Sequence, residues 1–283
     1  MKLLSFFHEN TVKYGAIETD GTIFVLSELL STQYPELRDV LGSESFLDTC
    51  GTAKNASPTL GLDEVRLLPP IPYSNKIFCV GLNYLDHQDE TGHAPTAYPT
   101  IFSRFSDSQC AHGSPMMMPE CSTEFDFEAE LAVVIGRPAY KVSESDALKH
   151  VAGYSCYNDG SIRDWQVHST QFLPGKNFPN TGAFGPYLVT YDEIDDPQNL
   201  KIDCRLNGQS VQSATTGLMI HSIARTISYI SQFSPLGAGD VIATGTPGGV
   251  GFTRTPPLFM KSGDVVEVEI ENIGILRNEI VGP

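Results

Sequence analysis

Residues 124–136 read EFDFEAELAVVIG, where Asp126, Glu128 and Glu130 alternate with Phe125, Phe127 and Ala129 before the pattern turns wholly apolar through Ile135. Period-2 alternation predicts an extended strand with three carboxylates on one face, running into a core. Like charges on one face repel one another and are costly to desolvate without a cation. The same alternation also describes the solvated face of an exposed strand, so the register alone leaves both readings open.

The remaining pattern is mostly strands with a few helices. YGAIETDGTIFVLSELL alternates around a tight TDG turn, and SESFLDTC has the composition of a helix start. VRLLPPIPYSNK carries three prolines, which exclude helix interiors and predict an extended connector. The expected division is therefore a small β-rich N-terminal domain over 1–70 and a catalytic domain over 71–283. Past the connector, KIFCVGLNY predicts a strand ending at Gly81, and YLDHQDET a short helix closed by Gly92. ESDALKHVAGYSCYND predicts a helix starting near Ser143 or Ser145, then a strand after Gly153. HSIARTISYISQF places Ile220, Ile223, Ile227 and Ile230 at helical spacing. GDVIATGTPGGVG and SGDVVEVEIENIGILRNEIV read as strands with glycine-rich turns. Many strands and few helices predict an α+β, mainly β fold.

Composition narrows the function classes. The 283 residues have the hydrophobic content of a globular chain, at 41%, with a mean hydropathy of −0.11. No apolar run approaches the roughly 18 residues a membrane helix needs, and the start turns polar too soon for a secretory signal. The expectation is a cytoplasmic protein without a membrane partner. A net charge of −16, from 18 Lys+Arg against 34 Asp+Glu, argues against a nucleic-acid partner, because such affinity rests on cationic neutralisation of phosphates. Six cysteines show no CxxC pair and no zinc-like spacing, and a reducing compartment suits them.

Two local constellations carry chemistry. Asp159 closes a second strand-like stretch in YNDGSIRDWQ, and could join two carboxylates of the first strand around one hard cation such as Mg²⁺ or Mn²⁺. His87 and Glu90 sit at i and i+3 in DHQDE, so a helical turn would bring them together. A carboxylate beside an imidazole orients it and raises its basicity, which suits a general base.

From Lys76 to Val281 the chain resembles the fumarylacetoacetate hydrolase family. Ordered blocks carry the resemblance: KIFCVGLNYLDH, FDFEAELAVVIG, VAGYSCYNDGSIRDWQ, PGKNF, GPYLVTYDEIDDPQNLKIDCRLNGQ, GDVIATGTPGGVG and SGDVVEVEIENIGILRNEI. The resemblance implies a mixed β-roll/β-sandwich catalytic domain and a divalent metal, Mg²⁺ or Mn²⁺, on Glu128, Glu130 and Asp159. Asp126 receives no ligand role and is expected to be solvated or to lie behind the ligands. The family match gives His87 and Glu90 to a lid that carries the base. Lys176 falls near metal and substrate, while Arg104, Gln166, Gly245 and Thr246 fall at substrate-binding positions, Arg104 on the distal carboxylate of a diacid. Arg163 is read as structural, and His93 and His112 as loop residues within reach of substrate. The sequence departs from the common family pattern at Gly160 and Ile162 and in PGKNFPNTG.

The implied activity is hydrolysis of a C–C bond in an acylpyruvate or β-diketo acid, such as maleylpyruvate, fumarylpyruvate or a diketo-deoxy sugar acid. Lyase chemistry on the same scaffold, an oxaloacetate-type decarboxylase or a 2-oxo acid hydratase, is the alternative. A small anionic 2-oxo acid is the expected substrate and a homodimer the expected assembly.

Overall fold

A computed structural model describes residues 1–92 and 96–282. His93, read above as a substrate candidate, lies outside the described residues. The fold is mainly β, as the alternating pattern predicts. Its spine is the strand Ala129–Ile135, buried along its whole length. Continuous apolar character is what a strand covered on both faces requires. Leu131, Val133 and Ile135 enter one core, and Ala132 and Val134 enter another.

The spine lies within a 12-stranded sheet. On one side it pairs antiparallel with Val151–Asn158, Ala129 opposite Asn158 and Glu130 opposite Tyr157. That strand is followed in the sheet by Gly182–Thr190. On the other side come Val241–Ala243, then Ile77–Gly81 in parallel, then Thr100–Arg104. The first core lies between this sheet and a second, five-stranded one built around Lys201–Leu206, Val265–Ile270 and Gly274–Val281. The other core is closed by N-terminal residues such as Leu37, Leu41 and Phe46.

The N-terminal segment continues the main sheet. Lys2–His8 pairs antiparallel with Gly182–Thr190, Lys2 opposite Val189, while Leu4, Phe6, Ile23 and Val25 form a small cluster of their own. The TDG turn forms with Gly21 at φ 88°. The helix Ile223–Phe233 forms as its isoleucine spacing predicts, capped by the Ser222 hydroxyl accepting from the Arg225 N–H at 3.1 Å. Ile220 precedes it. The strand expected after Gly153 already begins at Val151.

The uninterrupted strand expected from 124 onward is the main local correction. Phe125–Asp126 pairs separately with Ser161–Ile162, and the chain leaves strand geometry before resuming at Ala129. There the Asn158 side chain accepts from the Glu128 N–H at 3.0 Å. Asp126 is held by Arg163, Gly251 and Phe252, and it is not one of the three carboxylates that converge beyond the break.

Candidate active site

Strand pairing builds the acidic centre. Ala129 opposite Asn158 sets Asp159 beside Glu128, and the Asp159 N–H donates to the Glu128 carbonyl at 2.9 Å. One carboxylate oxygen from each of Glu128, Glu130 and Asp159 then lies within 4.8 Å of the others, all three side chains being buried. Lys176, at the end of the short helix Leu173–Lys176, is buried as well. Its ammonium donates to Glu128 Oε2 at 2.8 Å and to Asp159 Oδ2 at 2.7 Å.

Among the described residues Glu130 has no such cation. Its Oε2 accepts from the Gly245 N–H at 2.9 Å. Burial, then the charges of Asp159 and Glu128, push its carboxyl well above the usual range. Burial would raise Glu128 too, but Lys176 and Arg163 outweigh it and hold Glu128 down at about 2. Lys176, Arg163 and Arg104 pair with Asp126, Glu128 and Asp159, so among the described residues Glu130 is the carboxyl of this cluster that has no ion-pair partner. Three converging carboxyl groups, one of them without a cation, fit a hard divalent cation, and the triad could hold one.

His87 and Glu90 meet as their spacing predicts. On the helix Leu85–Thr91, His87 Nδ1 lies 2.8 Å from Glu90 Oε1. Glu90 Oε2 accepts from the Gly249 N–H at 2.9 Å and the Thr253 hydroxyl at 3.1 Å, docking the helix on the loop after Val241–Ala243. Burial alone would raise Glu90, but the bonds from His87 and Gly249 outweigh it and its carboxyl is lowered. A cavity of about 160 Å³ collects His87, Glu128, Glu130, Lys176, Gln166 and Thr246, with Arg163, Phe102 and Phe252 in its wall.

Residues 76–281 match the family model described as Fumarylacetoacetate (FAA) hydrolase C-terminal. This chain belongs to the fumarylacetoacetate hydrolase family. Residues 1–70 match a second model, Rv2993c-like, N-terminal. The human Oxaloacetate tautomerase FAHD2A, mitochondrial, is 44% identical over 226 residues, 79% of this chain and 72% of the relative. A fumarylacetoacetate hydrolase from Exiguobacterium antarcticum superposes with a TM-score of 0.86 at 34% identity, over 100% of both chains. The maleylpyruvate hydrolase from Sphingobium.sp SYK-6 does so with a TM-score of 0.83 at 25% identity, again over 100% of both. The human relative's name is mitochondrial, whereas the sequence reading expects cytoplasm. Among the described residues no helix is long and apolar enough to cross a membrane.

Several of the expected site residues are placed differently from what the resemblance implies. Arg104 does not reach the cavity. Its side chain is fully buried, donating to Asp159 Oδ1 at 2.7 Å, the Gly160 carbonyl at 3.0 Å and the Thr181 hydroxyl at 2.8 Å. With Nε, Nη1 and Nη2 all engaged by interior acceptors, this guanidinium lies outside the cavity lining. Arg163, read as structural, stands in the cavity wall instead. It pairs with Asp126 Oδ2 at 2.8 Å and Glu128 Oε1 at 2.7 Å, donates to Gln166 Oε1 at 2.8 Å, and stacks 4.4 Å from the Phe252 ring. Its Nη2 is buried and has no hydrogen-bond partner among the described residues, which leaves an open donor. The clue was local: Arg163 and Gln166 are i and i+3 on the helix Arg163–Gln166.

Gly245 is likewise redirected. Its N–H serves Glu130, and a Cβ at its φ of 100° would stand 2.6 Å from that of Asn83, so the turn packs where only glycine fits. Thr246 does line the cavity, its hydroxyl accepting from Gln212 at 2.8 Å. Asp126 is buried, not solvated. His112 is occupied by the Arg277 N–H at 3.1 Å and is not part of the cavity.

Replacing Arg104 separates the two roles. Arg104→Met leaves Asp159 Oδ1 buried without its cation, and loss of one partner of such a pair costs about 3–5 kcal/mol. Denaturant unfolding should show that loss. A substrate-binding Arg104 would instead leave stability unchanged and raise KM.

Proposed function

We propose that this chain is a metal-dependent enzyme of small dicarboxylic 2-oxo acids that interconverts keto and enol forms of an oxaloacetate-like substrate. The carrying observation is that His87, bonded to Glu90, lines one small cavity with Glu128 and Glu130 of the acidic triad and with Arg163, whose Nη2 has no partner among the described residues. At about 160 Å³ the cavity is below the roughly 300–1,000 Å³ of common ligand sites, which favours a short acid. The oxaloacetate tautomerase name of the 44% identical human relative supports the same substrate class.

Glu128, Glu130 and Asp159 would hold Mg²⁺ or Mn²⁺, which supplies Lewis-acid polarisation of the 2-oxo group. The protein's own groups do the rest. Glu90 accepts from His87 Nδ1–H, fixing the tautomer and leaving Nε2 as the lone-pair nitrogen. From there His87 takes the proton from the carbon beside the keto group, or from the enol hydroxyl, and returns it to the other atom. Glu90 steadies the imidazolium between those transfers. The Lys176 ammonium, 2.7–2.8 Å from Asp159 and Glu128, offsets enolate charge. Arg163 Nη2 offers its open donor to a substrate carboxylate.

Hydrolysis of an acylpyruvate is the second reading, and the same pair favours it, since a base that accepts a carbon-bound proton can also activate water. Its support is the fold shared with maleylpyruvate hydrolase. A panel of oxaloacetate and acylpyruvates distinguishes the two. Tautomerase activity appears as faster enol decay and faster deuterium entry beside the keto group, with the carbon skeleton intact. Pyruvate plus a second acid from acylpyruvates, with oxaloacetate unaffected, would replace the first reading by the second. Carbon dioxide release would mark decarboxylation.

The homodimer is part of this proposal. An aromatic patch in which the exposed Tyr98 stacks on the half-buried Tyr229, and Tyr229 meets the exposed Phe233, supports it. Light scattering should give twice the 30.9 kDa chain mass, and a monomer mass at micromolar concentration would count against it.

A further inference from the structure

The family reading leaves one carboxylate of the opening motif without a role, and the structure gives it an unusual set of partners. Asp126 Oδ1 accepts from the Gly251 N–H at 2.8 Å, while Oδ2 accepts from the Phe252 N–H at 3.1 Å and from Arg163 Nε at 2.8 Å. Gly251 and Phe252 belong to the loop whose Gly249 and Thr253 hold Glu90. The approach is close: a Cβ on Gly251 would lie 2.5 Å from Asp126 Oδ1 and collide with the Leu258 carbonyl. Arg163 in turn reaches Glu128.

We propose that Asp126 is a positioning residue for His87, acting as the post that fixes the 249–253 loop and, through Glu90, the helix that carries the imidazole. One buried carboxylate thereby ties the lid's dock to the cation in the cavity wall. Asp126 touches neither the cavity nor any reacting atom. Its effect on His87 passes through backbone amides that have one geometry when both carboxylate oxygens accept. The inference rests on His87 as the base, but its test needs no turnover. A His87→Ala variant that keeps its kcat would remove the base, leaving the post to be judged on exchange and ring signals alone.

The test is hydrogen exchange on this 283-residue chain with diamagnetic Mg²⁺ added, comparing wild type with Asp126→Asn. An asparagine cannot accept at both oxygens, so at least one charge-assisted bond is lost. Exchange in Leu85–Thr91 and in residues 249–252 should rise about tenfold or more. Exchange in the remote helix Ile223–Phe233 should stay within about twofold. ¹⁵N signals of the His87 ring should move from a fixed Nδ1–H tautomer toward a mixture. Unchanged lid exchange, an equal rise in Ile223–Phe233, or unchanged ring signals would overturn the proposal. Should the variant not fold, wild-type exchange still decides. A shared opening free energy for Leu85–Thr91 and residues 249–252 supports the post, and independent openings refute it.

Discussion

His87→Ala is expected to lower kcat by about 10²–10⁴-fold, the usual contribution of a positioned general base. Divalent metal and substrate analogues should still bind, because the triad and Arg163 do not use the imidazole. Glu90→Ala should lower the same parameter by less. It leaves the imidazole in place but removes its 2.8 Å contact with Glu90, and unlatches the helix from Gly249 and Thr253. A purely structural His87 would behave differently, with a lower melting temperature and near-normal kcat in the folded fraction. Near-wild-type turnover by His87→Ala would falsify the mechanism while leaving the metal centre untouched.

How much of this site could be read from sequence depends on how far apart the partners lie. His87 and Glu90 are three residues apart, so helical geometry alone brings them together. Glu128 and Glu130 share a period-2 register, and Asp159 joins them through strand pairing that the family blocks imply. The placement of the two arginines, Arg104 outside the cavity lining and Arg163 in it, was not legible for the opposite reason. Arg104 finds Asp159 across 55 residues, and Arg163 finds Asp126 across 37, and no local spacing encodes either pairing. Gly245 was legible as a turn, but the direction of its N–H depends on where Glu130 sits in a neighbouring strand. At fold level the alternation correctly announces strands. The pairing of Lys2 with Val189, which makes the N-terminal strands continue the main sheet, is again a long-range fact.

Glu130→Gln should uncouple the stability of the protein from added divalent metal. In the metal-free protein the Glu130 carboxyl is raised by burial and by Asp159 and Glu128. A group whose folded value lies above its unfolded value stabilises the fold below the unfolded value, and that contribution is lost as pH rises through the folded one. Metal-free wild type should therefore lose stability as pH rises, and a divalent cation should restore it. Saturation at about 100 times Kd contributes about 2.7 kcal/mol, or roughly 5–10 °C in Tm for a chain of this size. Glutamine keeps an acceptor for the Gly245 N–H and turns an amide donor toward the remaining carboxylates. The variant's metal-free Tm should then exceed that of metal-free wild type at neutral and alkaline pH, with the Mg²⁺- or Mn²⁺-induced shift gone. Thermal melts with EDTA and with added metal, across pH, check all three expectations. A full metal-induced shift in Glu130→Gln would show that the cation binds elsewhere, because the triad would have lost the one carboxylate that has no cation of its own.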